Sequence, residues 1–200
     1  MRSIDMKNIF EQGHFDLYSN VRLDEARHSI PFYYSESCSR QTTIFISHKH
    51  DDLNDLKGLL GYLEKTFDVK VYIDSNDPTM PKLTSAKTAE NIKNRIKRCD
   101  KFILLATNAA VESKWCNWEL GFGDANKFPK HIAIFPLKPK DSSDFNYKGN
   151  EYLDLYPHIA YFSGHEQYTN GKLINRGYYV RWKENGQYYI TPLSEWLNKR

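Results

Sequence analysis

Along residues 42–137 the spacing of apolar positions keeps switching between two periods. Thr42-Thr43-Ile44-Phe45-Ile46-Ser47 is a short β-branched and apolar run and predicts a buried strand. Leu53, Leu56, Leu59, Leu60 and Leu63 then recur every three or four residues, which predicts a helix over Asp51 to Phe67. Asp51 and Asp52 stand where acidic groups favour a helix N-terminus. Val69 to Ile73 reads as a second strand, and Asp74 to Lys82 as a loop broken by Pro78 and Pro81. Ala89, Ile92 and Ile96 give Ala86 to Cys99 one apolar helical face. Lys101 to Ala106 is a third strand. Asn108 to Asn126 is helical, with an irregular join at Ser113, a good N-cap residue. Ile132 to Phe135 is a fourth strand, expected to end at Pro136. Strands alternating with helices predict an α/β fold with a parallel sheet covered on both faces, because parallel strands need crossover connections. Ligands bind such sheets beyond the carboxyl ends of the strands. Ser47, Asp74, Thr107 and the approach to Glu119 all fall at that edge.

The flanks are less regular. Residues 1–40 contain a possible short helix and an aromatic run, Phe32-Tyr33-Tyr34. A polar stretch, Asp141 to Asn150, precedes a fifth strand at Ile159 to Phe162. Tyr178 to Trp182 and Gln187 to Ile190 flank Asn185-Gly186, a hairpin signature. The tyrosines Tyr178, Tyr179, Tyr188 and Tyr189 are then cross-strand packing residues. Thr191 and Pro192 are expected to cap and open a final short helix. The pattern divides into an N-terminal extension, 1–40, a core domain, 41–163, and a hairpin-helix extension, 164–200.

Composition narrows the function. Two hundred residues with 40% hydrophobic and 14% aromatic content can bury a sizeable core. A net charge of +3, with lysines spread along the chain, does not point to nucleic acid. Cys38, Cys99 and Cys116 show no C-x-x-C spacing, which fits a reducing, cytoplasmic setting and neither a disulfide framework nor a zinc site. His48 and His50 lack a third ligand, so no metal is expected, and Cys116 has no histidine placed by sequence to activate it. No apolar leader opens the chain, and the run Phe102 to Val111 is too short for a membrane span.

The candidate chemistry lies in Ser113-Lys114-Trp115-Cys116-Asn117-Trp118-Glu119-Leu120. Trp115 and Glu119 are four residues apart, so a helix stacks them on one face and the ring shields the carboxylate from water. As a residue type, a helical glutamate more often sits in solvent, and a helical tryptophan more often packs than binds. Three boxes in order, Ile44-Phe45-Ile46-Ser47-His48, Val71-Tyr72-Ile73-Asp74 and Ser113 to Leu120, resemble the Toll/interleukin-1 receptor (TIR) domain of the bacterial, stand-alone kind. The likeness covers residues 43–137, about half the chain, and departs from the family at His48, where an aromatic commonly follows the serine. It implies a flavodoxin-like TIR fold with a central parallel five-stranded sheet, helices on both faces, and an added C-terminal hairpin and short helix. The Trp-x-x-x-Glu spacing is similar to that of TIR members that cleave NAD+. The resemblance thus implies an NAD+ glycohydrolase or cyclase that takes NAD+ as substrate and needs no cofactor. It also implies self-association through TIR–TIR contacts and a flap, residues 75–87, that closes on the nucleotide or docks on a neighbouring subunit. A Thoeris-type anti-phage system, with a separate effector switched on by the nucleotide product, is the expected setting, with no nucleic-acid or membrane partner.

The chemistry agrees with one carboxylate. Nicotinamide leaves NAD+ as a neutral molecule, so no general acid is needed, unlike ordinary glycosides with their alkoxide leaving group. Glu119 would steady the oxocarbenium-like ribose. Trp115 would wall the ring, Ser47 and Asp74 would bond the substrate or position the flap, and His48 and Lys49 would attract the pyrophosphate. Water as the attacking group yields ADP-ribose; an internal adenine nitrogen or ribose hydroxyl yields a cyclic nucleotide. Two other classes remain: a non-enzymatic TIR scaffold, and a nucleoside deoxyribosyltransferase-like enzyme, which the Trp-Cys-x-x-Glu box fits poorly.

Overall fold

The computed structural model describes residues 9–19, 41–73, 86–127, 129–142 and 151–199. Asp74, the greater part of the expected flap, the Phe32-Tyr33-Tyr34 run and Cys38 lie outside the described residues. In chain order the elements begin with β1 (Phe10–Glu11), β2 (Thr43–Ser47), α1 (Leu53–Phe67), β3 (Lys70–Tyr72) and α2 (Ala86–Arg98). Then come β4 (Lys101–Ala106), α3 (Asn108–Glu112), α4 (Lys114–Asn126) and β5 (Ile132–Lys138). The chain finishes with β6 (His158–Phe162), β7 (Gly177–Glu184), β8 (Gln187–Pro192) and α5 (Leu193–Asn198).

Among the described residues these strands form one 8-stranded sheet in the order β3-β2-β4-β5-β6-β7-β8, with β1 added against β5. The pairs from β3 to β6 are parallel, giving the flavodoxin-like order expected from the alternation. The C-terminal hairpin joins the edge of that same sheet: β7 pairs antiparallel with β6, and β8 with β7. Its turn uses Asn185 and Gly186 at φ 51° and 78°, the left-handed geometry that a two-residue hairpin needs.

Side-chain alternation splits the core into two layers. Ile44 and Ile46 pack with Leu56, Leu59, Leu60 and Leu63 of α1 and with Trp196 and Leu197 of α5. Phe45 points the other way, against Ile92 and Ile96 of α2 and Cys116 and Leu120 of α4. Every residue of β4 is buried, as a parallel strand covered on both faces requires. At the amino end of the strands, α5 is pinned by three bonds. Thr42 Oγ1 donates to the Leu197 carbonyl (2.9 Å), Trp196 Nε1 to that of Lys130 (2.7 Å), and Lys101 Nζ to that of Lys199 (2.5 Å). No helix among the described residues is long and apolar enough to cross a membrane.

Two local expectations change. Pro136 does not end β5. It sits on the last rung of the ladder to β4, opposite Ala106, where a missing N–H is tolerated, and Leu137 and Lys138 go on to pair with Phe10 and Glu11. Thr191 does not cap α5, because its backbone is held in β8 opposite Val180; Pro192 takes the cap position without a side-chain bond. Residues near the N-terminus contribute directly to the core, with Phe10 and Phe15 both 5% exposed. Phe10 stacks on Phe135 and Phe15 on Tyr62. Gly58 makes this docking possible: a Cβ there would lie 2.7 Å from the Phe15 carbonyl oxygen.

Candidate active site

Ser47 ends β2 at the point where the sheet order reverses, with β3 on one side of β2 and β4 on the other. Phe45 faces the α2–α4 layer, so strand alternation turns Ser47 the same way. Glu119 comes to meet it from α4. That helix starts at Ser113, whose Oγ accepts the Cys116 N–H at 3.4 Å, as the sequence suggested. It buries Cys116, Glu119, Leu120 and Gly123, an i, i+3, i+4, i+7 stripe, against the sheet. Close approach depends on Gly123, where a Cβ would already sit 3.2 Å from the Phe102 ring. A glutamate therefore occupies a core position of the helix, 1% exposed, and Ser47 Oγ donates to its Oε2 at 2.5 Å. A hydroxyl donor fixes the orientation of the buried carboxyl group, and the bond is stronger when that group is ionised.

Three other candidates, Trp115, His48 and Lys49, lie on the same or adjoining segments of chain. Trp115 is half-buried, its ring 4.9 Å from that of Trp118, in a row that continues to Phe122 at 6.0 Å. Lys93 of α2 lies over both Trp118 and Phe122. His48 is buried, with Nδ1 3.3 Å from the Ile46 carbonyl, and Lys49 is half-buried at the turn leading to His50–Asp52. The structure thus brings Ser47 and Glu119 into contact and sets His48, Lys49 and Trp115 on the elements flanking them. Cys116 and Cys99 are buried free thiols, and burial pushes that of Cys99 up to about 12, which leaves it un-ionised and unreactive near neutral pH.

Sequence reasoning passed over a second buried carboxyl at this edge. By its position Asp52 suits a helix start, yet it is 5% exposed and accepts a 2.6 Å bond from Thr107 Oγ1. Burial raises its pKa, the Thr107 bond opposes that, the charges of Asp55 and Asp51 add to the rise and His48 works against it. Thr107 in turn caps α3 by accepting the Ala110 N–H at 3.0 Å. The available signal was Thr107 standing just before a helical run; nothing in the spacing linked it to Asp52.

A sheltered carboxylate with a fixed hydroxyl donor, at the switch point of a parallel sheet, suits the stabilisation of positive charge without proton transfer. Comparison with known proteins points the same way. The family profile described as TIR domain matches residues 44–168. The chain is also 30% identical over 158 residues to a protein of Bacillus cereus (strain MSX-D12) named probable 3' cyclic ADP-D-ribose synthase ThsB'. That alignment spans 78% of this chain and 75% of the relative.

Proposed function

The chain belongs to the TIR domain family and is related to a cyclic ADP-ribose synthase, and from that premise we propose that it cleaves the nicotinamide–ribose bond of NAD+ with Glu119 as the catalytic carboxylate. The observation that carries this reading is the placement of Glu119: a carboxylate 1% exposed, at the carboxyl edge of the sheet, held by Ser47. As the glycosidic C–N bond breaks, its electron pair leaves with nicotinamide and neutralises the pyridinium. The ribose carbon becomes electron-poor, and the fixed negative charge lowers the energy of that state most where water is excluded. Ser47 keeps the carboxylate from turning away. Trp115 offers an aromatic wall, and His48 and Lys49 supply the cationic or donor groups for the diphosphate. A ribose hydroxyl of the same substrate, its proton passing to solvent, or an adenine nitrogen bonds to the ribose carbon and gives a cyclic ADP-ribose-type nucleotide; capture by water, which also yields its proton to solvent, gives ADP-ribose. The product is a signal for a separate effector in anti-phage defence, and TIR–TIR self-association assembles the active form.

Purified protein at high concentration is incubated with NAD+ beside Glu119→Gln, nicotinamide is resolved by chromatography and the nucleotide identified by mass. Release by the wild type and loss of at least about 100-fold in the variant are expected. Equal release by both refutes the assignment, as does absence of release under crowded, filament-forming conditions.

One observation favours a second reading, a scaffold that acts through TIR–TIR contacts alone: the Glu119 carboxylate is already engaged inside the protein by Ser47. Under that reading Glu119→Gln alters self-association, and neither protein turns over NAD+.

A further inference from the structure

Asp52 is a buried carboxyl that the proposed chemistry does not use. A threonine hydroxyl carries one proton. Thr107 Oγ1 donates that proton to Asp52 Oδ2 and accepts the Ala110 N–H on a lone pair. Thr107 thus joins the start of α1 to the start of α3. Only Ser113 separates α3 from α4, and Asn117 Nδ2 donates across the join to the Val111 carbonyl at 2.9 Å. The two helices form one piece, and Glu119 rides on it. The loop 47–52 therefore grips this piece at both ends, Ser47 through Glu119 and Asp52 through Thr107. The two grips hold the piece at separate points, Thr107 at the start of α3 and Glu119 within α4. Core packing seats α4 on the sheet, and the closed ring of contacts adds a directional link between residues 47–52 and the helix that carries Glu119.

We infer that Asp52 is a positioning residue for the cleavage reaction, fixing the Glu119 carboxylate relative to residues 48–51 through Thr107 and the α3–α4 piece. The inference rests on the reading of Glu119 as the catalytic carboxylate. A displacement of an ångström at a reacting group can cost about 100-fold in rate, so the ring has kinetic leverage although Asp52 touches no substrate.

The test measures kcat and KM for nicotinamide release in the full chain. Asp52→Ala and Thr107→Val are expected to lower kcat by about tenfold or more with KM within about twofold of wild type. Thr107→Ser keeps both hydrogen bonds and is expected to restore kcat. Asp52→Asn keeps an acceptor oxygen and falls between. An unchanged kcat in folded Asp52→Ala overturns the inference, as does a loss confined to KM or a Thr107→Ser variant as impaired as Thr107→Val. Should Asp52→Ala fail to fold, the comparison of valine with serine at position 107 decides alone. Should the wild type release no nicotinamide, the cleavage reading falls separately, and amide hydrogen exchange tests the ring. Faster exchange through residues 108–120 in Asp52→Ala, with 86–98 unchanged, supports it; acceleration confined to the start of α1 overturns it.

Discussion

Ser47→Ala deletes a single oxygen at the end of β2. In the wild type that oxygen carries the 2.5 Å bond to Glu119 Oε2, and both residues are 1% exposed, so solvent is poorly placed to replace the donor. A hydrogen bond to a charged group contributes about 1.5–3 kcal/mol. If the bond holds the carboxylate in its working position, most of that energy is felt in the transition state, which corresponds to a loss of about 10- to 100-fold in kcat. A serine that instead gripped the substrate would act uniformly on ground and transition states, and its removal would raise KM at constant kcat. Steady-state nicotinamide release across a range of NAD+ concentrations separates the two. Denaturant unfolding of the same samples corrects for any unfolded fraction. A kcat within about twofold of wild type, at full folding, refutes the reasoning that Ser47 works through Glu119.

Other variants probe other links. Gly58→Ala forces a Cβ onto the Phe15 backbone, so residues 9–19 should detach from α1 and β5; limited proteolysis should cut there before it cuts elsewhere, and wild-type protection of that segment would contradict the packing. Trp115→Ala is expected to raise KM for NAD+ about tenfold if the half-buried ring walls the substrate, whereas a drop in stability at unchanged KM assigns the ring to packing against Trp118. Lys101 provides the pH test. Burial, with the nearby ammoniums of Lys127 and Lys199, outweighs Asp100 and lowers its pKa from 10.5 to about 8. Between those values the unfolded chain holds the proton that the folded chain has lost, so wild-type stability should rise with pH across that interval relative to Lys101→Met. Unfolding curves of the two proteins at pH 7 and 9.5 that keep a constant separation would show that Lys101 is not buried as described.

Elements whose cause is local were legible in the sequence. β2 to β6 and α1, α2 and α4 each announce themselves by the period at which one face must be apolar. The Ser113 cap and the Asn185-Gly186 turn each satisfy backbone within a few residues. The Trp115–Glu119 spacing was legible for the same reason, as a property of one helix. What residues far apart do to each other was not. Ser47 and Glu119 are separated by 72 positions, and Asp52 and Thr107 by 55. No period connects such pairs, because their meeting depends on how strands are ordered in the sheet and which helix covers which face. By composition a helical glutamate belongs in water, and a proline such as Pro136 ends a strand. One became a buried carboxyl because α4 turns that side toward the end of β2, and the other stayed in β5 because the ladder to β4 stops there while β1 supplies the next pairs. Nearest-neighbour chemistry thus wrote the strands and helices, and the closing of the sheet over its crossovers decided which polar groups lost their water and faced one another.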